Sequence, residues 1–172
     1  MRVLCPRRDR SIYSSNVFLI RGNWNRIEDV NVLVDAGADP GVLDFIERVP
    51  TGIGKRKLDF VVLTHRHYDH TTMLPAIKRS FGATVLAWGP ATDGVDRSLR
   101  DGEQLRLGDE WFEVIHTPGH TEDSICLYGL ESGALFVGDT PVIVNSIDGT
   151  HEPGYVESLR RLSSRPVSVI HF

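Results

Sequence analysis

Thr64-His65-Arg66-His67-Tyr68-Asp69-His70 crowds three of the chain's seven histidines and a carboxylate into one short segment. It follows directly on Leu58 to Leu63, a run rich in apolar and β-branched residues of the kind expected in a strand buried on both faces. In an extended segment alternate side chains point the same way, so His65, His67 and Asp69 converge from one piece of backbone, while His70 turns toward a neighbouring point. Imidazole and carboxylate are ligands for zinc and similar first-row divalent ions. The segment therefore reads as a metal-binding loop at the end of a buried strand, with room for two adjacent ions.

Two further segments support this. His116-Thr117-Pro118-Gly119-His120-Thr121 follows an apolar strand, and its Pro-Gly turn presents His120 from a tight bend. Leu135-Phe136-Val137-Gly138-Asp139-Thr140 is another buried strand ending in Gly and a carboxylate. In this order the three segments resemble the metallo-β-lactamase superfamily of metallohydrolases, whose pattern runs Thr-His-x-His-x-Asp-His, Pro-Gly-His-Thr, Gly-Asp, and then a final His. Upstream, Ser15 to Ile20 and Val32 to Gly37 look like the opening hairpin of that family.

The resemblance implies an α+β fold, a four-layer αββα sandwich of two mixed β-sheets flanked by helices, with metals in a cleft along one edge. It implies that His65, His67 and His120 hold a first metal, that Asp69 and His70 hold a second, and that Asp139 bridges them. Two zinc ions per chain are expected, with iron or manganese as alternatives. The implied activity is metal-dependent hydrolysis of an ester, thioester, lactone or phosphodiester by a metal-bridging hydroxide. Asp69 would be the catalytic residue that orients the nucleophile and shuttles its proton. Two rivals remain. Some relatives use a single iron to oxidise sulfur in a persulfide, with ligands matching His65, His120 and Asp139, and a noncatalytic metal-binding module would keep an intact ligand set.

The sequence departs from the family pattern in places. Thr71-Thr72 stands where Gly-Gly often follows Asp-His. The last ligand of the pattern is open between two readings: His171 itself, or, because Val169-Ile170-His171-Phe172 parallels Val114-Ile115-His116-Thr117 and so matches His171 to the strand residue His116, a residue past Phe172. No counterpart of the helical domain of hydroxyacylglutathione hydrolases or of an RNA-binding arm is expected, which takes weight from those substrates. Asp69-His70 also differs from the Asp-Arg of those β-lactamases that take a Cys ligand, so antibiotic hydrolysis is not implied.

Working outward, the segments Val3 to Cys5, Asn16 to Ile20 and Val32 to Val34 read as strands, and Gly41 to Val49 reads as a helix capped by Asp39. Thr72 to Phe81 reads as a second helix. Thr84 to Trp88, Glu103 to Leu107, Trp111 to His116, Ser124 to Tyr128 and Ala134 to Val137 follow as strands. Gly154 to Leu162 reads as a helix burying Tyr155, Leu159 and Leu162, before a last strand Val167 to Ile170. With the second and third strands antiparallel, Asn16 and Asp35 fall at the metal end and Trp24 at the other. Pro6 to Ser15 then lies near the metals, and Arg7, Arg8, Arg10 and Tyr13 could meet an anionic small-molecule substrate. Asp35 is a candidate acceptor for a ligand histidine's second N–H. Tyr68 is expected to pack beneath its loop, and His151 to be exposed in one.

Composition bounds the rest. At 172 residues and 19.2 kDa the chain fits one metallo-β-lactamase-like domain, residues 1–172. A net charge of −4 and a pI near 5.9 argue against a general nucleic-acid-binding surface. No run of about 18 apolar residues exists to span a bilayer. The charged N-terminus lacks a signal peptide's apolar stretch, so cytoplasm is the expected location. Cys5 and Cys126 form no CxxC and read as reduced thiols in the core.

Overall fold

The computed structural model describes residues 1–89, 94–142 and 154–172. His151 lies outside them. Strands β1 (Arg2–Leu4), β2 (Phe18–Arg21) and β3 (Asn31–Val34) pair antiparallel. The sheet continues in chain order, now parallel, through β4 (Phe60–Val62), β5 (Thr84–Trp88) and β6 (Arg97–Leu99). A second sheet starts with β7 (Gln104–Leu107), β8 (Glu110–His116), β9 (Ile125–Gly129) and β10 (Ala134–Phe136), all antiparallel. It closes with β11 (Val169–His171), parallel to β10. Both sheets are therefore mixed.

Four helices accompany them among the described residues: α1 (Gly41–Arg48), α2 (Tyr68–Thr71), α3 (Leu74–Phe81) and α4 (Tyr155–Ser163). Strand alternation separates the apolar side chains into layers. Leu19, Leu33, Val61 and Val85 pack with Val42, Ile46, Leu74 and Ile77 of α1 and α3. Their neighbours Ile20, Val32, Val62 and Leu86 face Phe112, Val114, Leu127 and Phe136 of the other sheet. Ile115, Cys126, Leu135 and Val137 pack on the far side of that sheet with Leu162 of α4. Three apolar layers between four structural layers make the αββα sandwich. The central strands are buried on both faces, which is why they read as continuous apolar runs.

Asp39 Oδ1 accepts a hydrogen bond from Gly41 N–H at 2.8 Å, the cap expected for α1. That helix stops one residue short of expectation because Val49 precedes Pro50 and is extended at ψ 123°. The helix expected over Thr72 to Phe81 begins two residues later, as α3, and a separate, unforecast turn of helix, α2, precedes it. A continuous helix from Tyr68 would set the Pro75 ring against the carbonyl of Thr71 and leave that carbonyl without its donor, so Pro75 sits in the first turn of a new helix. Strand β6 has no sequence forecast: Arg97-Ser98-Leu99 lacks apolar alternation and is a strand only because it pairs with β5. On α4 the buried residues are Tyr155, Ser158 and Leu162, whereas Leu159 is exposed. Cys126 is buried and Cys5 exposed, and both are free thiols, so only one of the two is a core residue. No helix among the described residues is long and apolar enough to cross a membrane.

Candidate metal centre

Four loops, following β3, β4, β8 and β10, meet at one edge of the sandwich. At the end of β3, Asp35 takes a left-handed conformation with φ 60°. The turn aims its carboxylate across the sheet. Oδ1 accepts from the Thr64 backbone N–H at 2.8 Å, Oδ2 accepts from the Thr64 hydroxyl at 2.8 Å, and Oδ2 lies 2.9 Å from His70 Nδ1. The Thr64 carbonyl in turn accepts from Ile125 N–H of β9 at 2.9 Å, which links the edges of the two sheets. Thr64 Oγ1 also stands 3.1 Å from His65 Nδ1. Asp35 and Thr64 thus fix the rings of His65 and His70 from behind, leaving the Nε2 atoms to face the cleft.

The donors converge there. His65 Nε2 and His120 Nε2 each lie 3.0 Å from His67 Nδ1. Asp139 Oδ1 lies 3.4 Å from His70 Nε2, and Asp139 Oδ2 lies 3.7 Å from His120 Nε2. Two sets of three ligand atoms result, His65 with His67 and His120, and His65 with His70 and Asp139, each set within 4.8 Å of one another. Asp139 touches members of both. Asp69 Oδ2 borders the second set, 3.7 Å from His70 Nε2.

A cation fits this arrangement on the chemistry of the donors. Nitrogens of three rings face one another, and at most one proton can lie along each contact. His70 Nε2 is buried with no hydrogen-bond partner among the described residues. Burial disfavours a charge on His70, yet the flanking Asp139 and Asp35 carboxylates outweigh it and push its pKa up to about 10. Burial and the neighbouring imidazoles push His65 down to about 3. His70 holds Asp139 below its usual range, and burial lowers His120. The pocket collects positive charge at a point where a divalent ion would displace the proton.

Hydroxyls and glycines hold the second-sheet ligands. Thr117 Oγ1 and Thr140 Oγ1, both buried, lie 3.1 Å apart and tie the His120 loop to the Asp139 loop, with Cys126 Sγ 3.4 and 3.5 Å away. Ser158 of α4 donates to the Pro118 carbonyl at 2.8 Å. A Cβ on Gly119 (φ 152°) would fall 2.6 Å from Tyr155, so only glycine lets α4 press on the His120 turn. A Cβ on Gly138 (φ 49°) would stand 2.5 Å from Thr64 Oγ1. Gly138→Ala should therefore lower stability by about 2–4 kcal/mol, from overpacking added to backbone strain. A loss in unfolding free energy below about 0.5 kcal/mol by urea titration would show that the contact is slack.

The structure brings His65, His67, His70, His120 and Asp139 together and sets Asp69 beside them. The expected alternation ends at His67, which is extended at ψ 148°, while Asp69 and His70 lie on α2. Hence His70 does not turn away from His65 but shares a donor set with it, their rings 4.1 Å apart. Tyr68 does not pack beneath the loop: it is 64% exposed and leans on Tyr13, with ring centroids 5.9 Å apart. His171 belongs to neither donor set and stacks on Phe136 at 4.5 Å as a strand residue. Trp24 lies at the far end of the hairpin, with Arg21 4.6 Å over its ring. Sequence reasoning missed Thr64, Thr117 and Thr140. A threonine beside each ligand loop was the available signal, but threonine is common at strand ends.

An αββα sandwich with a histidine and aspartate cluster at its open edge defines the class. The family model of the metallo-beta-lactamase superfamily matches residues 11–87 and 88–171, and the chain belongs to that superfamily. Among curated relatives, the hydroxyacylglutathione hydrolase of a Chelativorans species is 32% identical over 82% of this chain and 55% of its own length. The hydroxyacylglutathione hydrolase of Photobacterium profundum is 31% identical over 87% of this chain and 57% of its own. The chain therefore spans little more than half the length of these relatives. Among solved structures, ETHE1 from Myxococcus xanthus aligns with TM-score 0.65 at 29% identity, over 81% of this chain and 58% of that one. BJP-1, a subclass B3 metallo-beta-lactamase of Bradyrhizobium japonicum, shares the fold with TM-score 0.65 at 21% identity, over 91% of this chain and 70% of that one.

Proposed function

We propose that residues 1–172 form one domain acting as a metal-dependent hydrolase. Its substrate would be a small molecule with an ester or thioester bond, and lactones and phosphodiesters are the next candidates. The observation that carries this is the pair of donor sets sharing His65, with Asp139 in reach of both. The thioester choice is supported by the hydroxyacylglutathione hydrolases among the relatives. Zinc is the proposed metal, two ions per chain, with iron or manganese as substitutes. A cytoplasmic setting accords with the two free thiols.

In this scheme His65, His67 and His120 would hold one ion and His70 and Asp69 the other, with Asp139 in reach of both. Bound there, the ions would supply Lewis-acid polarisation and a water acidified toward neutral pKa. Asp69, almost fully buried beside His70, orients the attacking water, accepts its proton at a carboxylate oxygen and returns it to the leaving group. Asp35 and Thr64 keep the rings of His70 and His65 from rotating.

Asp69→Asn tests the proton role. The variant should keep an ion on the three-histidine set but lose at least a hundredfold, about 10²–10⁴, in kcat on thioesters and esters. Unchanged kcat would remove Asp69 from the chemistry. A second reading, sulfur oxidation at a single iron held by His65, His120 and Asp139, draws on the 3.7 Å approach of Asp139 to His120. One iron per chain, with oxygen uptake on a persulfide, would favour it.

A further inference from the structure

The arm between β1 and β2 is a fixed wall of the catalytic cleft. Asp9 N–H donates to Asp39 Oδ2 at 2.7 Å, and Asp39 is already pinned as the cap of α1. At the other end Ser15 donates twice to the Asp69 carbonyl, from its backbone N–H at 3.1 Å and its hydroxyl at 2.9 Å. Ser14 Oγ accepts from Ala38 N–H at 2.8 Å, and the Arg8 guanidinium folds back onto the Ser14 carbonyl. The two bonds from Ser15 join the arm directly to the helix bearing Asp69 and His70. The cavity between arm and metal centre measures about 1280 Å³.

Its walls differ in character. One carries Asp69, His70 and Asp139, the groups proposed to bind metal. The arm contributes Arg7, Arg8 and Arg10 against one aspartate, and Asp9 spends its Oδ1 on the Ser11 N–H and hydroxyl. Among the described residues Arg7 and Arg10 have neither an ion-pair nor a hydrogen-bond partner. Between the walls lies an aromatic floor of Phe18, His171 and Phe172, in which Phe18 and His171 rest on the buried ring of Phe136 at 5.5 and 4.5 Å.

We infer that Arg7 and Arg10 form an anion subsite, so that the substrate is an acyl compound with an apolar or aromatic body and a carboxylate or phosphate remote from the bond cleaved. This rests on the hydrolase reading and narrows it. A guanidinium presents paired N–H donors that match the oxygens of either anion, and an arm pinned at both ends presents them with little ordering cost. The aromatic floor takes the body, and the metal wall takes the reacting carbonyl.

The test compares two aryl esters with the same scissile bond, p-nitrophenyl acetate and the mono-p-nitrophenyl ester of glutarate, on the zinc-loaded 172-residue chain. Wild type should favour the anionic ester about tenfold or more in kcat/KM, and added salt should shrink the preference. In Arg7→Gln/Arg10→Gln the ratio should fall to about one, mainly through KM. Arg48→Gln, remote on α1, should leave the ratio unaltered. A preference that survives the double variant, or no preference in wild type, would overturn the subsite. If neither ester is cleaved, the subsite is read directly by calorimetric titration with phenyl phosphate and with benzoate. A loss of about tenfold in affinity in the double variant supports it, equal affinity refutes it, and the tighter of the two ligands identifies the anion.

Discussion

Asp139→Ala is expected to remove more than 99% of hydrolytic activity and most of the bound metal while the chain stays folded. Asp139 belongs to one donor set and reaches into the other, at 3.4 Å from His70 and 3.7 Å from His120, so its loss weakens both at once. The apolar layers do not depend on it, because its side chain is 29% exposed at the cleft. The metal-free variant should melt close to the metal-free parent, whereas added zinc should stabilise only the parent, as follows for a ligand that binds the native state alone. Turnover, elemental metal content and a thermal melt with and without zinc check this together. Wild-type turnover, or undiminished metal content, would mean that Asp139 is not a ligand.

Asp35→Ala should be the most destabilising change near the site, by about 4 kcal/mol. Its buried carboxylate receives the Thr64 N–H, the Thr64 hydroxyl and the His70 ring, all buried, so truncation leaves three polar groups without their acceptor. Alanine at φ 60° adds backbone strain of about 1–2 kcal/mol. Asp35→Asn should recover part of the loss, because asparagine tolerates this conformation and keeps one acceptor oxygen. Metal affinity should fall about 10–100-fold in the asparagine variant through a loosened His70. Urea midpoints and competitive metal titration measure both effects, and a loss below 1 kcal/mol for the alanine variant would contradict the three-bond role.

Much of this was legible in the sequence, for physical reasons that differ by element. Strands β3, β4 and β9 are buried on both faces and therefore show as apolar runs, while α1 shows its cap as Asp39 and its end as Pro50. The ligands stood out because histidines at such density have few other uses. The two-helix break at Pro75 was visible but unread, and β6 was invisible because its three residues are ordered by their neighbour. Thr64, Thr117 and Thr140 stayed hidden because their role depends on atoms brought together from distant loops. The position of His70 was misjudged because a strand period was extended two residues into a helix.

The most direct single measurement is the metal content per chain, by elemental analysis of protein purified without added metal or chelator and then of the same protein titrated with zinc. Two divalent ions per chain are expected, falling toward one or none in Asp139→Ala. A chain that contains no metal and takes up none on titration would contradict the metal centre, and with it the hydrolase built upon it.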